Sequence, residues 1–210
     1  MKSFYKFIVI ILFTSLACGS VQLIDNNKGT VTNTPLLGSS NVESAKSIEE
    51  VDIANATIIY YDISGNTENE LRQQLDKLSP RGYDNFKGDA TTNWRINWTW
   101  DGYGNSNCDL TSAEVTYSIE VTMPRWESPQ DASPELITKW NNYIQALTEH
   151  EKGHVDFVVE NYMSVETAIK NATCDTAESA AQAALLPIRQ YDIDYDAETN
   201  HGATQGARFP

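Results

Sequence analysis

The chain has 210 residues, of which 40% are hydrophobic, and a formal net charge of −14 at neutral pH. That length holds one domain of ordinary size together with a leader and a tether. An acidic balance of this size repels phosphate backbones, so nucleic acid is excluded as a partner and the charge reads as a soluble surface.

Residues 1–18 form the leader. Lys2 and Lys6 precede the apolar run Phe7 to Phe13, and Thr14-Ser15-Leu16-Ala17-Cys18 follows. A positive start, a short apolar stretch and small residues before a cleavage point describe an export signal, too short to span a bilayer. Leu16-Ala17-Cys18 looks like a bacterial lipobox, in which Cys18 is lipidated and anchors the protein to a membrane. Ser15 stands where Leu is more usual, so simple cleavage and release stays open. The expectation is an exported protein, either an envelope lipoprotein or an extracellular one. Residues 19–50 are rich in Ser, Asn, Thr, Gly and Val without a sustained period and read as a flexible tether. Residues 51–210 then make the folded domain.

Within that domain, Thr57 to Asp62 is a β-branched and aromatic run ended by Ser64-Gly65-Asn66, a strand and a turn. Thr67 and Glu70 make a capping box ahead of Leu71, Leu75 and Leu78, and Pro80 and Gly82 end that helix. Trp94, Ile96, Trp98 and Trp100 alternate with polar residues, as do Val115, Tyr117, Ile119, Val121 and Met123. Two half-buried strands follow from this, with the Trp stripe in the core and the Gly-rich segment around Cys108 as the loop of an antiparallel pair. Ser133 and Pro134 suit an N-cap and a first-turn proline. From there apolar residues recur at helical spacing from Leu136 to Ile169, predicting one long helix to about Asn171. A second, alanine-rich helix runs from Asp175 to about Tyr191, kinked or ended by Pro187, and the tail from Tyr195 onward is helix-free. With Cys18 set aside, Cys108 and Cys174 remain, an even number in a chain that leaves the reducing cytosol, and a single disulfide between them is expected.

The three histidines fall in two short places. His150-Glu151-Lys152-Gly153-His154 is an HExxH pattern lying mid-helix on the buried side. Its two imidazoles project from one face and can hold one metal, with Glu151 beside them as general base. Isolated polar groups are costly in such a place, and a metal that takes up their lone pairs explains them. His201 is the only remaining histidine, and Gly202 beside it permits a tight backbone path, so His201 is the expected third ligand. Glu178, Asp192 and Asp196 are the carboxylate alternatives. Tyr195 is a candidate donor to a tetrahedral oxyanion, with a structural tyrosine as the ordinary alternative. Asp196 is a candidate acceptor for the outer N–H of a ligand histidine, or a solvated surface carboxylate. Gly153 costs about 1 kcal/mol relative to Ala in a helix, which points to close backbone approach there, with the Gly202 to Gly206 stretch as the approaching segment.

Taken together, several segments resemble one bacterial family of unknown function that is described, by prediction, as secreted zinc-dependent proteases. They are the opening strand with Ser64-Gly65, the Trp94 to Trp100 strand, Cys108, Pro124-Arg125-Trp126, His150 to Asp156, Tyr195-Asp196, Thr199, His201-Gly202, Gln205-Gly206-Ala207 and Phe209-Pro210. The expected fold is α+β and zincin-like, a small antiparallel sheet packed on a long HExxH-bearing helix and a second C-terminal helix. The expected function is a secreted or surface-anchored metallopeptidase with one zinc per chain, acting on a peptide or protein substrate. Two alternatives remain at this stage: a non-catalytic envelope lipoprotein whose structural zinc pins its tail, and an amidase acting on cell-wall peptides.

Overall fold

The computed structural model describes residues 46–48, 50–82 and 87–210, all within one compact unit, Val42–Pro210. The leader, Cys18 and most of the tether lie outside the described residues. The folded part begins before Val51, however. The Ser47 hydroxyl donates to the Trp126 carbonyl (2.7 Å), the Ile48 N–H donates to Asn141 Oδ1 (2.7 Å), and Ser47 is buried. Backbone polar groups that find partners on the domain surface are no longer free tether.

The elements run β1 (Thr57–Ile63), α1 (Glu68–Leu78), β2 (Thr91–Asp101), β3 (Asp109–Trp126), α2 (Pro134–Asn161), α3 (Met163–Lys170) and α4 (Ala177–Thr199). The architecture is α+β, with a sheet in the order β1-β3-β2. It is mixed, and the antiparallel expectation holds only for half of it. β2 pairs antiparallel with β3 across the expected hairpin, from Thr91↔Thr122 to Asp101↔Asp109, whereas β1 lies parallel to β3, from Thr57↔Glu120 to Ile63↔Trp126. Alternation in a sequence fixes which face a residue takes and is silent about strand direction. Pro124, inside β3, lies beyond the last pair with β2, where its missing N–H costs no bond on that side.

Local chemistry accounts for the helix starts. Thr67 Oγ1 accepts from the Glu70 N–H (3.2 Å), while Glu70 reaches back to the Asn66 N–H (2.7 Å). Ser133 Oγ accepts from the Leu136 N–H (3.2 Å), with Pro134 in the first turn. The helices end differently from expectation. The long helix stops at Asn161, whose side chain donates to the Phe157 carbonyl (2.8 Å) and competes with the helix's own bonding. Tyr162 there packs edge-on against Tyr117 of β3. α4, in contrast, passes through Pro187 and continues to Thr199, so Asp192, Tyr195 and Asp196 are helical. Pro187 and Ala183 are both exposed, and water can satisfy the carbonyl that the proline leaves without a donor.

The core lies between the sheet and the helices, with Val121, Met123, Trp126, Trp140, Ile144 and Val155 among its fully buried members. Phe209, only 1% exposed, packs on Trp140 and Tyr143 with ring centroids at 5.6 and 5.3 Å. The tail is therefore ordered by apolar burial in its own right. Cys108 and Cys174 are joined as expected (S–S 2.12 Å), tying the hairpin loop to the α3–α4 junction. Among the described residues no helix is long and apolar enough to cross a membrane.

Candidate metal centre

α2 buries a stripe at helical spacing, and His150, Glu151 and His154 belong to it, at 3%, 4% and 6% exposure. Three ionisable side chains so deep in a core need partners. Each imidazole has an outer and an inner one. The His150 Nδ1 meets Gln205 Oε1 at 3.0 Å, and the His154 Nδ1 meets Asp192 Oδ1 at 2.9 Å. Asp192 is itself held by Trp94, whose Nε1–H donates to Oδ2 (2.7 Å). With both Nδ1 atoms engaged outward, both Nε2 atoms turn to one oxygen, Asp196 Oδ1, at 3.2 Å from His150 and 3.3 Å from His154.

His150, His154 and Asp196 form the group that could hold a metal ion, one donor atom from each lying within 4.8 Å of the others. Two donors on a tetrahedral ion with bonds of about 2.0–2.1 Å stand roughly 3.3 Å apart, which is the separation found between Asp196 and each histidine. The charges agree with this. Burial disfavours a charged His154, but Asp192 and Asp196 outweigh it and push its pKa up to about 10. Burial opposes charge on Asp196 too, yet the hydrogen bonds of His150 and His154 hold its carboxyl well below the usual range. The cluster calls for positive charge, and in the metal-free protein a proton supplies it. Burial raises the pKa of Glu151, against the opposing pull of His154 and of the Thr92 hydroxyl, which donates to Oε2 at 2.7 Å.

The expected third ligand, His201, lies outside that donor set. Its Nδ1 stands 3.5 Å from the other oxygen of Asp196, Oδ2, and the ring is half-exposed. α4 explains the change. Because it persists past Pro187, it carries Asp196 into the place ahead of His201, which follows the helix end in a left-handed conformation (φ 52°). The outer-acceptor role expected of Asp196 belongs to Asp192, one helical turn earlier. Glu178 is at the other end of α4, accepting from Trp98 Nε1 (2.9 Å) and the Tyr103 hydroxyl (2.7 Å).

Tyr195 stacks on His150 (centroids 5.1 Å, 14°) and meets His154 edge-on (5.0 Å). Its hydroxyl accepts from Gln205 Nε2 (3.0 Å), the same amide that meets the outer nitrogen of His150. The ring thus packs against both imidazoles, which also meet each other edge-on (5.1 Å), and its hydroxyl is tied on their outer side. It also explains Gly153, where an added Cβ would lie 2.5 Å from the Tyr195 oxygen. The Tyr195 ring, rather than the Gly202 to Gly206 stretch, makes the close approach. Gly202 packs elsewhere: a Cβ there would lie 2.8 Å from His150 Cγ.

The family described as "Bacterial protein of unknown function (DUF922)" matches residues 58–202, more than half of the chain. The chain belongs to that family. The DUF922 match spans Thr92, Trp94, His150 to His154, Asp192, Asp196 and His201, and ends before Gln205. No curated protein and no solved structure gives a match.

Sequence reasoning quoted Gln205 only as part of a family motif and gave it no role at the site, and it missed Thr92 and the polar role of Trp94. Asp192 and Asp196 repeat on α4 the spacing of His150 and His154 on α2, a signal readable only if α4 is taken to continue past Tyr191.

Proposed function

We propose that the protein is a zinc-dependent hydrolase of peptide bonds, a zincin-like metallopeptidase with His150, His154 and Asp196 as its metal ligands. The observation that carries this reading is the pairing of engaged Nδ1 atoms with two Nε2 atoms that converge on one carboxylate oxygen, beside a buried glutamate. Zinc bound there supplies Lewis acidity and a water acidic enough to be deprotonated near neutral pH. Thr92 holds Oε2 of Glu151 and so leaves Oε1 to take the proton and pass it to the departing nitrogen. Desolvation, which raises the Glu151 pKa, suits it to that transfer. The export leader and Cys18, read from sequence alone, would put this chemistry outside the cytoplasm.

Metal analysis of protein purified without added zinc, together with cleavage of casein and of purified cell wall, tests the proposal. The wild type is expected to hold one zinc and to cleave casein in a chelator-sensitive way. Glu151→Gln keeps the metal and loses hydrolysis, Asp196→Ala loses both, and His201→Ala keeps the metal. Full activity of Glu151→Gln would leave the zinc a structural role only. Loss of metal from His201→Ala with retention in Asp196→Ala would return the third-ligand place to His201.

A further inference from the structure

The geometry points to Gln205 as a positioning residue of the metal centre, acting through the tautomer of His150; this rests on the metallopeptidase reading above. The Gln205 amide has two polar ends and uses both. Oε1 stands 3.0 Å from His150 Nδ1, and Nε2 donates to the Tyr195 hydroxyl at 3.0 Å. With Oε1 as acceptor, Nδ1 of His150 keeps a ring proton, so Nε2, which faces Asp196, is the nitrogen whose lone pair is open to a cation that takes the place of a proton between them. An imidazole with its proton on Nε2 cannot coordinate there. One side chain therefore presents His150 to a cation and secures the tyrosine ring that packs against both histidines.

The backbone around Gln205 serves this placement. Asn200, His201, Gly202 and Gly206 all have positive φ, of 51°, 52°, 75° and 94°, a run of left-handed residues that turns the chain sharply back after α4. The Gly202 carbonyl accepts from the N–H groups of Gln205 (2.9 Å) and Ala207 (3.0 Å), closing the turn. Beyond it Ala207 is buried, and Phe209 holds the far side in the Trp140 and Tyr143 cluster. Gln205 is thus fixed from both sides although it is itself exposed, and an exposed side chain on a rigid turn can serve as a fixed acceptor. His154 has a charged acceptor in Asp192 whereas His150 has a neutral one, so the two ligands differ in how strongly their outer partners polarise them.

Zinc affinity, measured by competition with a chromophoric chelator, and the visible spectrum of the cobalt-substituted protein test the assignment in three variants. Gln205→Met keeps the length of the side chain and removes both polar ends, and is expected to weaken zinc by roughly ten- to a hundredfold and to alter the cobalt spectrum. Gln205→Glu keeps an acceptor for the Nδ1–H and is expected to bind within a few-fold of wild type, a rescue that a merely packing role would not produce. Tyr195→Phe removes only the second contact and is expected to fall between them. Wild-type affinity and spectrum in Gln205→Met would overturn the role of Gln205 while leaving the metal centre standing. Absence of stoichiometric zinc in the wild type itself would instead overturn the metallopeptidase reading.

Discussion

A methyl group on Gly153 would land 2.5 Å from the oxygen of Tyr195 and 2.7 Å from its Cζ, and that ring has nowhere to go. It is stacked on His150 on one side and on Tyr191 on the other, and its hydroxyl is tied to Gln205. Helix propensity favours Gly153→Ala by about 1 kcal/mol, whereas forcing atoms into a packed site costs about 1–3 kcal/mol. The clash is expected to win. Urea unfolding of Gly153→Ala should show a lower midpoint than wild type, and a higher one would mean that the ring yields. At this scale the sequence was legible where the chemistry is local. His150, Glu151 and His154 lie within one turn of one helix, and the Cys pair followed from a count. Gln205 and Trp94 reach their partners across separations of 55 and 98 residues, and no spacing rule covers contacts of that kind. Trp94 was read correctly as facing the core, but an alternating stripe does not say which indole has a carboxylate within reach.

At the scale of elements, the decisive one is α4. Ending the helix near Tyr191 placed Tyr195 and Asp196 in a tail and left His201 to complete the site, whereas the continuing helix brings in a carboxylate from its last turns. Proline is costly in a helix interior because it removes a bond and crowds the preceding turn, by about 3 kcal/mol, and part of this is offset because it also restricts the unfolded chain, by about 0.4–1 kcal/mol. Pro187→Ala is therefore expected to stabilise the protein by about 2–2.6 kcal/mol, seen as a raised thermal midpoint. An unchanged or lowered midpoint would show that Pro187 itself is needed for α4 to dock. The strands were legible in position and facing, down to the hairpin around Cys108, because period-two alternation records burial directly. Direction was not, since β1 joins β3 in parallel only after α1 and β2 have intervened.

For the whole molecule, the charges in the centre link stability to pH in the metal-free state. Asp196 has a folded pKa below its ordinary 3.8, so its contribution is complete above about pH 4 and is lost as pH falls further. His154 is raised from 6.5 to about 10, so its contribution is complete below pH 6.5 and is lost as pH rises through 10. Chelated protein should accordingly melt highest between about pH 4 and 6.5, and the increment from added zinc should grow above that range as protons leave the site. A chelated midpoint that climbs steadily from pH 6 to 9 would contradict the pairing. The same architecture bears on when the centre can exist at all. His154 and Asp196 are 42 residues apart in the chain, and Gln205 comes later still. A ribosome releases the two histidines first, and for as long as α4 is being made the nascent chain holds that pair without Asp196. On the metallopeptidase reading proposed above, metal capture is thereby deferred until α4 has been made, and a chain that still lacks α4 would carry an incomplete centre.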